Sequence, residues 1–392
     1  MNKITISSGS VGSVKFRCDI IDAKTGRTVK RGQEKTNLLF DAGLDRLGAA
    51  SRWPDLFAYF VLGDGTTPTR RDSGVITFSR SGNVVTSSAN FFEAGDAGRL
   101  LKFDSGEEMY VTAYNSGTSV NVSVLGALSA AEGTIYYVNR TSLGNELKRT
   151  STLTADSGDH GWSWNGTTGI LSTWKTMLFS AEVGTVTYRE IGWSHAAAGA
   201  SLINGAALIA GGGDVLVADQ QYKVRVQLDR LVSPRTPSAV STPDIIAQWT
   251  GTAEEQLEIV ALSVWSTTGS IGNVTNQGSS GLEPTTGLNI RLDSTSAALN
   301  SPSTSGFTPS GSVNLGSMDM TAASYVSGSF YRNYSAVFSP SSGNSTAIRS
   351  IRVGGPTADP HFRLLMDGPQ TKTSAQKLTL NVLKSWGRVL VN

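Results

Sequence analysis

Apolar and polar residues alternate with a period of two in one segment after another of this chain, which places every second side chain on one face of an extended strand. Between Val14 and Ile21, the residues Val14, Phe16, Cys18 and Ile20 share a face, and Lys15, Arg17 and Asp19 share the other. Tyr222, Val224, Val226 and Leu228 stand against Lys223, Arg225 and Gln227 in the same way. So do Phe362, Leu364 and Met366 against His361 and Arg363, and Leu378, Leu380 and Val382 against Thr379 and Asn381. Clusters of Gly, Ser, Asn and Asp between these runs supply turns. The period breaks once: Phe40, Leu44 and Leu47 fall at helical spacing, which predicts one short amphipathic helix capped by Thr36 and ending near Gly48. Gly199 and Gly205 weaken a helical reading of the alanine-rich run 196–210. The pattern therefore predicts a mainly β chain with one short amino-terminal helix.

Several boundaries follow from the same pattern. Residues 75–139 carry a procession of four or five short strands, through Phe91, Phe92, Leu101, Phe103, Met109, Val111, Val120, Val122, Val124, Tyr136 and Val138. They read as a small β-barrel inserted into a host domain, and an insertion joined at close ends should be removable with the host still folded. The host is then an amino-terminal β-sandwich of residues 1–74 plus 140–233. Pro234, Pro237 and Pro243 mark an extended linker over 234–244. A second β domain is expected over 245–392, with the segment Leu257 to Trp265 apolar on both faces and hence central and doubly covered. The nearly uncharged stretch Ser266 to Ser317 holds Leu288, Ile290, Leu299 and Phe307, so ordered loops laid on a neighbouring subunit are expected there. No fixed-period repeat is present.

Composition narrows the class. The chain has 43 glycines among 392 residues, where average usage gives about 27, and only 16% charged residues against about 25%. Both point away from long helices. No run approaches the roughly 20 apolar residues of a membrane helix, and the opening residues lack the apolar core of a secretory signal. The single Cys18 forbids an internal disulfide and excludes multi-cysteine metal sites. A net charge of +2 provides no overall field for nucleic acid, and the basic first 35 residues read as a solvated face.

The three histidines, His160, His195 and His361, are the first candidates for chemistry. Asp156, Gly158, Asp159 and His160 lack the further oxygen ligands of a calcium loop and the repeated histidine spacing of a zinc site, so they read as a polar loop. His195 follows Gly192, Trp193 and Ser194 without the second glycine of a nucleophile elbow, and reads as a strand end. Glu107 with Glu108, and Glu254 with Glu255, are adjacent, so on strands they project to opposite faces and cannot share a glycosidase site. Gly211 to Gly213 lack the Lys-Ser or Lys-Thr of a phosphate loop and read as a turn. Trp162, Trp164 and Trp174 have no interleaved basic groove for single-stranded nucleic acid and read as core or subunit contact. No catalytic, cofactor-binding or metal-ligating residue is assigned, and a non-enzymatic protein is expected.

Three segments carry a resemblance. KTNLLFDAGLDRL from Lys35 with YFVLGDGTTPT from Tyr59, then GDAGRLLKFDSGEEMYVTAYNSGTSVNV within Phe91 to Tyr137, then YREIGWS from Tyr188 with DVLVADQQYKVRVQL from Asp214, together resemble structural proteins of tailed-bacteriophage virions, those of tails, collars and fibres. They cover most of residues 1 to 235. The resemblance implies a non-enzymatic virion component, made in the host cytoplasm, that assembles as a symmetric homo-oligomer with other tail or neck proteins. The part after Pro243 matches no such family, and it lacks the short repeat or heptad of a trimeric fibre shaft, so a compact collar or appendage fits better. Two other readings stay open: a tail-fibre module that binds a host surface glycan, and a tail-associated polysaccharide depolymerase with carboxylates meeting between subunits.

Overall fold

The computed structural model describes residues 7–49, 53–155, 158–165, 170–199, 202–231, 247–250, 254–257, 259–264, 289–294, 313–354 and 360–388. Strands make up 57% and helical segments 7%, so the chain is a multidomain β protein built from several sheets. The linker 234–244 and the residues Leu288, Leu299 and Phe307 lie outside the described residues.

The first strand, Ser7–Asp22, is the spine. It pairs antiparallel with Gln220–Leu231, with Val14 opposite Leu228, Phe16 opposite Val226 and Cys18 opposite Val224. Residues directly opposite each other share a face, and all six are buried. The alternation in both segments therefore meets in one apolar layer. The full path of the large sheet runs Glu146–Thr150, Tyr59–Gly63, Glu190–Ser194, Ile203–Leu208, Lys35–Leu39, Ser7–Asp22, Gln220–Leu231, Ile170–Leu178 and Gly161–Asn165. Beyond Thr150 the chain comes back to the far side: Leu153 bridges Met177, Thr154 N donates to Thr176 O and Leu178 N donates to Thr152 O. The sheet is thereby curled on itself around a core that contains Phe16, Leu39, Phe60, Leu62, Met177, Trp193 and Val226.

The helix is Asp41–Ala49, and Thr36 is not its cap. Thr36 lies inside the strand Lys35–Leu39, because it pairs with Lys15 of the first strand while Leu39 and Leu38 pair with Gly205 and Ala206 and keep the backbone extended up to Phe40. Asp41 instead occupies the first turn, where a carboxylate suits the positive helix end. Leu44 and Leu47 join the core inside the curl, together with Leu56 and Phe57 of the short turn Trp53–Phe57.

Six strands, Arg70–Asp72, Phe78–Ser87, Leu100–Phe103, Glu108–Ser116, Ser119–Ala131 and Gly133–Tyr136, form a separate sheet. Phe78, Phe92, Phe103, Val111, Val120 and Ile135 make its own core. The chain leaves the curled sheet at Gly63 and rejoins it at Glu146, which stand opposite each other in the ladder. The module rests on the outer face of the curl, where Leu38, Phe40, Val61, Ile203 and Ala206 pack with Leu100, Tyr136 and Val138.

Past the linker, the strands Ile259–Val264, Pro360–Lys372, Ser345–Gly354, Asn289–Asp293 and Asn314–Asp319 form a five-stranded sheet. One expectation is corrected here. Ile259–Val264 is the terminal strand of this sheet among the described residues, not a central one. Apolar residues on both faces report what covers those faces and carry no information on how many neighbours the strand has along its edges. Most of the stretch Ser266 to Ser317 lies outside the described residues; within it, Ile290 is fully buried in its own sheet. Five further strands, Ala247–Thr250, Glu254–Leu257, Thr321–Ala322, Tyr331–Phe338 and Lys377–Arg388, join the curled sheet, the last running parallel to Ser7–Gly12.

Candidate functional site

Four clusters of polar side chains join groups from different parts of the chain. At the root of the six-stranded module, Glu190 is fully buried. Its Oε1 accepts from Asn145 N at 3.1 Å and its Oε2 from Arg140 Nη2 at 3.3 Å. Burial pulls the Arg140 guanidinium below its ordinary pKa, and Glu190 works against that shift. Arg140 also donates to Thr67 O and lies over the Phe40 ring. Gly65 is required here, since a Cβ would fall 2.2 Å from Glu190 Oε1.

Within the module, Asp96 is fully buried and takes Arg71 Nη2 and Arg99 Nη1 at 2.6 Å each, plus Glu93 N at 2.8 Å. Under the spine strand, Tyr222 donates to Asp214 Oδ2 at 2.7 Å, and Lys30 pairs with the other oxygen of Asp214. The neighbouring Tyr188, its ring 5.6 Å from that of Tyr222, donates to Glu182, which Lys148 also reaches at 2.6 Å. Burial pushes both phenols well above the ordinary tyrosine range. Cys18 lies beside this group, and its thiol is pushed up by burial and then by Asp214 and Asp19, so it is an inert thiol.

The fourth place joins three parts of the chain. Arg388 on the last strand donates to Leu39 O at 2.6 Å and to Asp41 at the start of the helix. Tyr110 of the module also donates to Asp41, at 3.1 Å. Burial raises the Asp41 carboxyl against the lowering effect of Arg388, and it raises the Tyr110 phenol to about 12. Each of these four clusters matches donor to acceptor across elements. That arrangement braces a scaffold.

The histidines are held the same way. Thr176 N donates to His160 Nδ1 at 3.3 Å, so the ring hydrogen is assigned to Nε2, which donates to Thr154 O at 2.7 Å. Both nitrogens are thus engaged where the curl closes. Asp159 pairs with Lys223, and Asp156 lies outside the described residues. His195 Nδ1 meets Asn204 Oδ1 at 3.1 Å, and Asn204 in turn donates to Leu56 O. The side chain of His361 is outside the described residues, as are those of Trp162, Trp164, Glu254 and Glu255. Trp174 donates to Gly158 O and carries Arg225 on its face at 5.0 Å.

Glu107 and Glu108 go to different cations, Arg80 at 3.4 Å and Lys102 at 3.7 Å, and do not face a common substrate. Gly211, Gly212 and Gly213 all have positive φ and turn the chain into the strand Asp214–Leu216. Among the described residues, no group of three or more His, Cys, Asp or Glu side chains is placed to hold a metal ion, and no helix is long and apolar enough to cross a membrane.

Two polar side chains inside the curl differ from all of these. Asn37 is buried, and neither its Oδ1 nor its Nδ2 has a hydrogen-bond partner. Lys175 stands opposite Val226 on the strand Ile170–Leu178 and shares its face with Met177, so its stem runs along the core. Burial lowers the Lys175 ammonium to about 8, with Asp55 as the opposing influence. No sequence signal marked Lys175, because apolar residues stand on both phases of this strand, Ile170, Trp174 and Leu178 on one and Leu171 and Met177 on the other.

No known family matches this chain, and no match was found among curated proteins or solved structures.

Proposed function

We propose that this chain is a non-enzymatic structural component of a tailed-bacteriophage virion, built into the tail or collar as a symmetric oligomer. The observation that carries the reading is the convergence of the three segments that resemble such proteins. Lys35–Leu39, Asp41–Ala49 and Tyr59–Gly63 from the first, and Glu190–Ser194 with Gln220–Leu231 from the third, belong to one curled sheet and its helix, and the second is the module seated on that sheet. Four bracing clusters tie these elements together, which suits a part that bears load and presents surfaces to neighbours.

The test is made on particles. Washed virions from the host that expresses this chain are expected to contain it at a fixed copy number set by particle symmetry. Its absence from washed particles overturns the reading.

A further inference from the structure

One rung of the seam that closes the curl is made by a side chain. Along that seam Thr150 Oγ1 donates to Leu178 O at 2.9 Å, Leu178 N to Thr152 O at 2.9 Å and Thr154 N to Thr176 O at 3.1 Å. A hydrogen-bonded antiparallel pair exchanges two such bonds, so Thr176 N is due to return one to Thr154 O. It donates instead to His160 Nδ1 at 3.3 Å, and His160 Nε2 donates to Thr154 O at 2.7 Å. The ring carries the missing rung, and it can do so because a neutral imidazole offers one acceptor and one donor, whereas an imidazolium offers two donors. His195 differs: its Nδ1 faces the Asn204 oxygen, an acceptor, so a second ring proton leaves that bond intact. Among the described residues, the charged groups beside His160 are Asp159, committed to Lys223 at 2.7 Å, and Arg225, which lies opposite Thr176 and over Trp174. Lys175 on the seam strand faces the core, and the segments 150–154 and Gly161–Asn165 bring no charged side chain.

We propose that His160 is an acid-released latch: neutral, it holds residues 152–154 on the strand Ile170–Leu178, and protonated, it lets this edge of the curl lift. A proton on Nδ1 turns the acceptor into a donor aimed at the Thr176 N–H, so the rung is lost and two N–H groups oppose each other. Thr176 is 1% exposed, so its amide has no water to turn to while the seam is shut. Asp159 is engaged elsewhere and Arg225 adds a like charge, so neither relieves the conflict. Relief comes from local opening, which carries the imidazolium into solvent. The latch is a property of the closed sheet and does not depend on assembly into a particle.

The test is hydrogen exchange on the intact protein between about pH 7.5 and about pH 5.5, each rate divided by the chemical exchange rate of the free amide at that pH. An open imidazole that takes its proton near 6.5 favours opening about tenfold more at the lower pH than at the higher. Protection of the amides of Thr154, Thr176 and Leu178 is therefore expected to fall about tenfold, starting near pH 6.5, while Phe78–Ser87 in the module keeps its own. Unchanged protection at the seam overturns the proposal. So does a fall that begins only below about pH 5, which belongs to carboxylates, or one shared equally by Phe78–Ser87, which is not local to the seam. In His160→Asn, whose amide does not titrate, the seam should exchange alike at both pH values. A tenfold fall that persists in this variant belongs to another group and likewise overturns the proposal.

Discussion

Asn37 and Glu190 show how differently one fold treats buried polar side chains. Glu190 is fully enclosed and every contact it makes is with a donor, whereas Asn37 is 5% exposed with both amide atoms unmatched. An unsatisfied buried polar group costs about 1–3 kcal/mol, so an apolar residue of similar volume should be better tolerated than the native amide. Asn37→Leu is expected to raise the melting temperature by about 2 °C or more, read by calorimetry; a lower melting temperature would mean that the amide has a role the contacts do not reveal. Lys175 gives a prediction with a definite sign. Its folded pKa of about 8 lies below the unfolded value near 10.4, so below pH 8 both states carry the charge and the folded state bears the full burial penalty. Between pH 8 and about 10.4 the unfolded chain holds the extra proton, and stability rises with pH through that window. Lys175→Met should therefore be more stable than the native protein at pH 7 in urea unfolding, with the gain shrinking towards pH 10. A gain that does not change with pH would rule out burial of the charge as its cause.

At the scale of elements, the nine-residue helix Asp41–Ala49 is too short to persist by itself and owes its place to residues far along the chain. Trp386 Nε1 donates to Leu44 O at 2.9 Å in the middle of the helix, and Arg332 Nη2 donates to Gly48 O at 2.6 Å, so one distant side chain also satisfies a carbonyl at its carboxyl end. Tyr325 donates to Asp45 at 2.6 Å, and Arg388 holds Asp41. Trp386 is buried in the same core as Leu44 and Leu47. Replacing Trp386 with Ala should destabilise this corner by about 3–5 kcal/mol. Hydrogen exchange should then show the amides of the helix and of Ser7–Gly12 losing protection together, while Phe78–Ser87 in the module keeps its own. Uniform loss across all three would show that the corner is not a separate cooperative unit.

These contacts also explain what the sequence made legible. Period-two alternation marks a strand and its buried face, because both follow from the local backbone. It found Val14 to Ile20 and Tyr222 to Leu228 without saying that they pair. The Trp386 to Leu44 bond joins residues 342 apart, and no local pattern contains that distance. Thr36 was misread for the same reason: the strand at 35–39 is held by Ser7–Asp22 on one side, where Thr36 pairs with Lys15, and by Ile203–Leu208 on the other, and neither partner is visible in the local pattern.

For the whole molecule, the decisive question is whether the six-stranded module can be detached. Its two ends meet at Gly63 and Glu146, and a short closing turn there would cost little in loop entropy. The module has its own core, which argues that it can be lifted out cleanly. The outer face of the curl argues the other way. Leu38, Phe40, Val61, Ile203 and Ala206 are buried by packing with Leu100, Tyr136 and Val138, so excision uncovers a contiguous apolar face. It also removes Tyr110 from Asp41. Arg140, Asn145 and Glu190 lie outside the module's strands, so the root cluster survives, and the curled sheet has no reason to lose its ladder. Replacing residues 70–136 with a Gly-Ser turn should therefore give a chain that retains a cooperative β-type melt but binds a hydrophobic dye and self-associates. Adding Leu38→Thr and Val61→Thr, which lie on the uncovered face of strands that otherwise stay paired, should restore a dispersed species by light scattering. Loss of the cooperative melt in both versions would show that the module is part of the host core. A soluble first version that binds no dye would show that the outer face is covered by something other than the module.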